Sequence, residues 1–224
     1  MSKETLNNKL AHYEFILASS SPRRFEIVHD YMNIQDITVV KPSFEENLDK
    51  ELYKDDPSKY VHDTCLGKAK SIMEEHTLGR DSKTPLGAIV ICADTIVVGP
   101  DKKIYEKPGS KETQLKYLNK FCYEYGSSGK PVKVITSVVV IKDSKGGHTD
   151  TQQFEEVTDI HFDSGILHAV IENYVESEDG LQVAGGFKIQ GPSGVLIRSI
   201  EGDYYNVVGL PLNRTYTTIL DFIQ

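Results

Sequence analysis

Charged residues stand in this sequence where folding alone would not put them. In LASSSPRRFEIV, residues 17–28, an apolar run gives way to three serines, a proline and two arginines. Ser21 is a good N-cap and Pro22 a good first helical residue, which sets Arg23 and Arg24 in the first turn of a helix. Cations there oppose the helix macrodipole by ~0.3–1 kcal/mol each. The arrangement makes sense if a polyanion sits at this helix end, where backbone N–H groups, serine hydroxyls and two guanidiniums converge. Pairing with surface carboxylates is the alternative. No GxxxxGK[ST] occurs, so this is not a Walker loop.

Further along, ICADTIVV places Asp94 and Thr95 inside an apolar run. A carboxylate in a buried strand is costly unless it is paired, hydrogen-bonded or metal-bound. On a helix over 57–76 with the stripe Val61, Cys65, Ala69 and Ile72, Lys68 falls beside the apolar stripe and Lys70 on the opposite face. Lys68 must then either snorkel to water or meet an anion. Lys107 is held extended by Pro108, and Glu45 and Glu46 lie on a loop in PSFEEN. The chain thus offers carboxylates for a divalent cation (Asp94 with Glu45 or Glu46) and cations for phosphates (Arg23, Arg24, Lys68, Lys107). That is the inventory for metal-assisted hydrolysis of a polyphosphate. The glycine-rich AGGFKIQGPSG, residues 184–194, either lets backbone approach a ligand or makes a pair of tight turns. Its Gln190 amide has both the donor and the acceptor needed to read a base edge.

The elements that must position these groups are legible as patterns. YEFILA (13–18), AIVICADTIVVG (88–99), VKVITSVVVIK (132–142), FEEVTDIHF and VLIRSI read as strands, and DITVVKPSF as a strand running into a loop. Phe25, Val28 and Met32 share one predicted helix face. Ser110 caps a helix with Leu115, Leu118 and Phe121 or Cys122 inward, and Leu167, Val170, Ile171, Tyr174 and Val175 mark another. TYTTILDFI closes the chain as a helix, while HTLGRDSKTPLG (76–87) and DSKGGHTDT read as turns. Strands and helices mix throughout, without repeats or linkers, so a single α/β domain over residues 1–224 around one long sheet is expected.

Composition narrows the function classes. The 224 residues carry a formal net charge of −8, which repels nucleic acid, and no basic run offsets it. An RNA-binding module is disfavoured for the same reason and for want of aromatic–basic interleaving. Cys65, Cys92 and Cys122 are far apart with no CxxC, and no histidine spacing suggests zinc. The polar N-terminus lacks a signal core, and no run approaches a membrane span. A cytoplasmic protein with no membrane or nucleic-acid partner is expected.

The motifs LASSSPRR, ADTIVV, EKP, VITSV, AGGFKIQG and IEGDYYNVVGLPL together resemble the Maf family of the inosine-triphosphatase-like superfamily, over about residues 14–222. The resemblance implies a mixed, twisted β-sheet with helices on both sides and two lobes around a central cleft. It implies a pyrophosphatase that splits nucleoside triphosphates with a divalent cation, Mg²⁺ or Mn²⁺, and a homodimer. By match Asp94 is the general base and a metal ligand, Glu45 a second metal ligand, and Ser19, Arg24, Lys68 and Lys107 surround the triphosphate. Arg23, Thr95 and Gln190 match the branch acting on dTTP and UTP, so dTTP, UTP or related, including modified, nucleotides are the expected substrates. The sequence departs from the family pattern around Val132, at Gly186 and Lys188, and by inserts near 77–86 and 143–150. A nucleotide-binding regulator of cell division with little catalysis is the alternative, and the presence of Asp94 weighs against it.

Overall fold

The structure is a computed structural model that describes residues 6–76, 78 and 82–223. Part of the turn-rich insert expected at 77–86 (residues 77 and 79–81) lies outside the described residues, as do residues 1–5 and 224. Seven strands form one sheet: β1 Tyr13–Ala18, β2 Ile37–Val39, β3 Gly87–Val98, β4 Ile104–Tyr105, β5 Val132–Ser144, β6 Thr149–Phe162 and β7 Ile197–Glu201. Their order is β2-β1-β3-β5-β6-β7, with β4 also on β3. β1 runs parallel to β2 and β3, and the other pairings are antiparallel. The expected mixed α/β sheet is present.

Helices cover both faces: α1 Leu6–Leu10, α2 Pro22–Glu26, α3 Pro57–Glu75, α4 Lys111–Asn119, α5 His168–Glu176, α6 Tyr204–Val208 and α7 Leu212–Phe222. Side chains alternate along a strand, so β3 feeds two cores. Ala88, Val90 and Cys92 pack with Cys65, Ala69 and Ile72 of α3. Ile89, Ile91 and Ala93 pack on the opposite face with Ile27, Val28, Leu210 and Ile219. The far halves of β3 and β5 enter another core, where Val97 and Val134 meet Phe121, Ile171 and Phe187. β3 and β5 therefore run from the first two cores into the third, and the cleft lies between.

That cleft begins as a gap in strand pairing. β1 follows β3 only as far as Ala18 opposite Cys92, and β4 joins the same strand at Val97 and Val98. Among the described residues, 93–96 have no strand neighbour on that edge.

Three expectations need correction. After Glu26 the helix widens into a π-type turn, Ile27–Tyr31. The extra residue rotates the face, burying Ile27, Val28 and Met32 and leaving Phe25 38% exposed. The same widening over Lys120–Gly126 brings both Phe121 and Cys122 inward. Leu167 sits at the N-cap of α5 rather than on its buried face and is 70% exposed. DITVVKPSF is, as expected, a strand that runs into a loop: the strand ends at Val39 and the chain continues along α3.

Candidate active site

Alternation on β3 divides the chemistry as it divides the core. Asp94 has the parity of Cys92 and faces α3; Thr95 has the parity of Ala93 and faces α2. Both stand where β3 lacks an edge neighbour, in a cleft of about 500 Å³, within the range of small-molecule sites.

On the α3 side, Lys68 is 8% exposed and Lys70 is exposed, as the helical arithmetic requires. Lys68 Nζ lies 2.6 Å from Asp94 Oδ1 and 2.7 Å from Glu46 Oε1. Burial alone would pull the Lys68 ammonium down, but Asp94 and then Glu46 outweigh it despite the repulsion of Arg24, and its pKa stands above the ordinary value. Burial would raise Glu46; Lys68, Lys107 and Arg24 outweigh that and hold it below the usual carboxylate range. The loop carboxylate in contact is thus Glu46. Glu45 is exposed and accepts a hydrogen bond from Asn47 at 3.0 Å. Identity at the sequence level could not separate two adjacent glutamates; the direction in which the loop presents them does.

On the α2 side, Ser21 caps the helix by accepting from the Arg24 N–H, and the Ser21 N–H in turn bonds Ser19 Oγ at 3.2 Å. Among the described residues, Arg24 pairs with no surface carboxylate. Its Nε donates to the Gly209 carbonyl at 2.8 Å, Nη2 to Thr95 Oγ1 at 2.9 Å and Nη1 to Ser19 Oγ at 3.4 Å. Gly209 has φ +128° as it ends α6, a conformation L side chains rarely adopt, and this sets its carbonyl on the guanidinium. Burial pushes Arg24 down, opposed chiefly by Asp94. Arg23 is lowered first by burial and then by Arg24 beside it, with Asp179 opposing.

Ser19, Arg23, Arg24, Lys68, Asp94, Thr95 and Lys107 all line this one cleft. Gln190 is exposed on the next turn and is not part of the lining; Gln182 and Lys188 are, with Lys188 paired to Asp179. A larger groove of about 840 Å³ lies beside α1 and β2, but it lacks these converging cations.

Some site residues were not found from sequence. Thr136 is fully buried opposite Thr95 in the register, and the two hydroxyl oxygens are 2.9 Å apart. Thr136 Oγ1 also donates to the Asn206 carbonyl at 3.3 Å, and Asn206 Nδ2 ties α6 to Val134 O and Thr158 Oγ1. A polar residue in an apolar strand run, the signal that exposed Asp94, was equally present at Thr136 in VITSVVV.

Asp94 and Glu46 converge on one cationic nitrogen, so the pair can hold a cation. Their hard oxygen donors suit Mg²⁺ or Mn²⁺, which take one or two carboxylates and complete their shell with substrate phosphates and water. Among the described residues no group of three His, Cys, Asp or Glu side chains could cage a metal without substrate. No described helix is long and apolar enough to cross a membrane.

A protein called dTTP/UTP pyrophosphatase from Saccharomyces cerevisiae is 49% identical over 207 residues, covering 91% of this chain and 88% of the relative. Proteins of the same name from Schizosaccharomyces pombe and Clostridium perfringens are each 35% identical, covering 98% and 92% of this chain and 88% and 96% of the relatives. The family model described as Maf-like protein matches residues 14–222, the span carrying every cleft residue named above, and the chain belongs to the Maf family.

Proposed function

We propose that the protein hydrolyses dTTP, UTP or a related pyrimidine nucleoside triphosphate to the monophosphate and pyrophosphate. The observation carrying this reading is the convergence of Asp94, Lys68, Glu46 and Arg24 on one cleft, in a chain whose relatives are named for that activity. The triphosphate lies with its negative charge against Arg24, Lys68 and Lys107, which offset the charge that builds up as the α–β phosphoanhydride breaks. Asp94 orients the attacking water and takes its proton at a carboxylate oxygen. Water oxygen bonds to phosphorus, and the bridging oxygen leaves with pyrophosphate. Asp94 with Glu46, or with the Glu45 implied by family resemblance, would hold a divalent cation, Mg²⁺ or Mn²⁺, which when bound polarises the phosphate.

Base choice falls to Arg23 and Thr95, with Gln190, exposed on the turn beside the cleft, as the third position matching the dTTP/UTP branch. Uracil and thymine present two carbonyl acceptors flanking one N–H. Cytosine exchanges an acceptor for an amino group and leaves a protein donor unpaired, at ~1–3 kcal/mol. We further infer a single cytoplasmic domain acting on free nucleotides as a homodimer. The net charge of −8 supports free nucleotides over nucleic acid, the three free, buried cysteines support a reducing compartment, and the homodimer is what the family resemblance implies.

The test is release of pyrophosphate by purified protein with Mg²⁺ and each natural triphosphate. UTP and dTTP are expected to exceed dCTP, ATP and GTP in kcat/KM by ~10-fold or more, and Gln190→Glu to erode that margin. A purine triphosphate as best substrate would overturn the base assignment. Tight nucleotide binding without pyrophosphate release would instead support a regulator.

A further inference from the structure

Helix α3 carries a glycine, Gly67, in its interior, immediately before Lys68. Glycine is a poor helix former, so the position asks for a reason. A Cβ built on Gly67 would stand 2.4 Å from Phe44 Cε2 and 2.5 Å from Cζ. The Phe44 ring therefore rests where any other residue would place its side chain. Phe44 belongs to the loop that delivers Glu46, and that loop is fastened along α3 at several points. The Ser43 hydroxyl donates to the Glu75 carboxylate near the end of the helix. Leu48 packs against the cluster of Tyr60 and Val61 in its first turns. Between these anchors Phe44 sits on Gly67 and Glu46 reaches Lys68. The Glu46 side chain is 55% exposed, and among the described residues Lys68 is its one ion-pair partner.

We propose that Phe44 and Gly67 are positioning residues. The ring seated on bare helix backbone fixes the loop at the height where Glu46 joins Asp94 to form a two-carboxylate cation site. Only Glu45 stands between Phe44 and Glu46, whose Cα atoms are therefore ~7 Å apart at most, so a ring lifted by a methyl on residue 67 withdraws the carboxylate. The inference rests on the reading that Asp94 and Glu46 hold a divalent cation together with the triphosphate.

The test titrates Mn²⁺ into the whole protein with a non-hydrolysable UTP analogue present, free ion being read by electron paramagnetic resonance and each variant's melting temperature being recorded. Glu46→Gln sets the scale of losing the carboxylate. Gly67→Ala and Phe44→Ala are each expected to weaken Mn²⁺ binding by ~10-fold, as for supporting residues at metal sites. The double variant should bind no more weakly than Phe44→Ala alone, because the ring that the methyl strikes is gone. It should also melt no lower than Phe44→Ala, alanine being the better helix former. Wild-type Mn²⁺ affinity in Gly67→Ala, or additive losses in the double variant, overturns the inference. If Gly67→Ala does not fold, wild-type affinity in Phe44→Ala overturns it and a loss matching Glu46→Gln sustains it. Wild-type affinity in Glu46→Gln removes the carboxylate assignment itself, and the inference with it. A loss there without one in Gly67→Ala removes the inference alone.

Discussion

Lys68 Nζ lies 2.6 Å from Asp94 Oδ1, with the two side chains only 10% and 11% exposed. A helix and the central strand are thus joined by an ion pair at the wall of the cleft. Asp94→Asn removes the negative member. Turnover is expected to fall by ~10²-fold or more, the scale for losing a general base. The amide still accepts a hydrogen bond and Glu46 still neutralises Lys68, so the loss of stability should be ~1–3 kcal/mol rather than the ~3–5 kcal/mol of a fully orphaned buried charge. Steady-state kinetics beside urea denaturation measure both; near-wild-type turnover in the folded variant would sink the base assignment.

The lysines of α3 should separate cleanly. Lys68→Ala strands Asp94 and removes a cleft cation, so both nucleotide affinity and stability should drop. Lys70→Ala lies on the solvated face, where substitutions stay within ~0.5 kcal/mol. Isothermal titration with the non-hydrolysable analogue, alongside melting curves, distinguishes them. Equal behaviour of the two variants would contradict the helical placement.

Acid and alkali should leave the Glu46–Lys68–Asp94 trio alone over a wide range. Glu46 has a folded pKa depressed below 4.5, so its contribution is present above that value and is lost as pH falls through the lower folded one. Lys68 is raised above 10.5, so its contribution is present below that value and is lost as pH rises through the higher folded one. The stability difference between wild type and Glu46→Gln should then be flat from pH 4.5 to 10.5 and shrink only in stronger acid, as Glu46 is protonated, or in stronger alkali, as Lys68 loses its charge. Since Glu46 is largely exposed, solvent screening keeps that difference to at most ~1 kcal/mol. Denaturant midpoints measured across the range check this, and a difference that widens on acidification would reverse the assigned sign.

At Arg24, charge alone should not suffice. Its guanidinium spreads three hydrogen bonds over Gly209, Thr95 and Ser19, and a lysine cannot reproduce that fork. Arg24→Lys is expected to lose ~10-fold or more in kcat/KM with little change in melting temperature. Thr136→Val, which cuts the hydroxyl contact behind Thr95, should cost several-fold, roughly one hydrogen bond, while Thr136→Ser should keep wild-type rates. Equal losses in the valine and serine variants would mean that packing, not the hydroxyl, matters there.

Much of this was legible because buried polar residues are conspicuous. Asp94 stood out against Ile91, Cys92, Ile96 and Val97, and the 3.6-residue period placed Lys68 and Lys70 on opposite sides of α3. Arg24 stood out by opposing the helix dipole, and its partners are carbonyls and hydroxyls inside the cleft rather than surface acids. Long-range contacts were not legible. Nothing local says that Gly209 turns its carbonyl to Arg24, that Glu46 rather than Glu45 reaches the lysine, or that Phe44 needs a glycine 23 residues later. The π-type turns after α2 and α4 were missed because one extra residue breaks the period used to read helix faces.

The length of β3 and β5 has a mechanical consequence. Each strand runs without interruption from one side of the cleft to the other, paired in register from Gly87–Ser144 to Val98–Lys133. A pair of connecting linkers would act as a hinge; two paired strands act as a stiff beam, which bends only by straining a whole ladder of hydrogen bonds. Opening and closing for nucleotide is then left to the coverings rather than the frame, above all the turn of residues 188–191. Hydrogen exchange should accordingly be slow along β3 and β5 with or without nucleotide, while that turn should lose exchange when it binds.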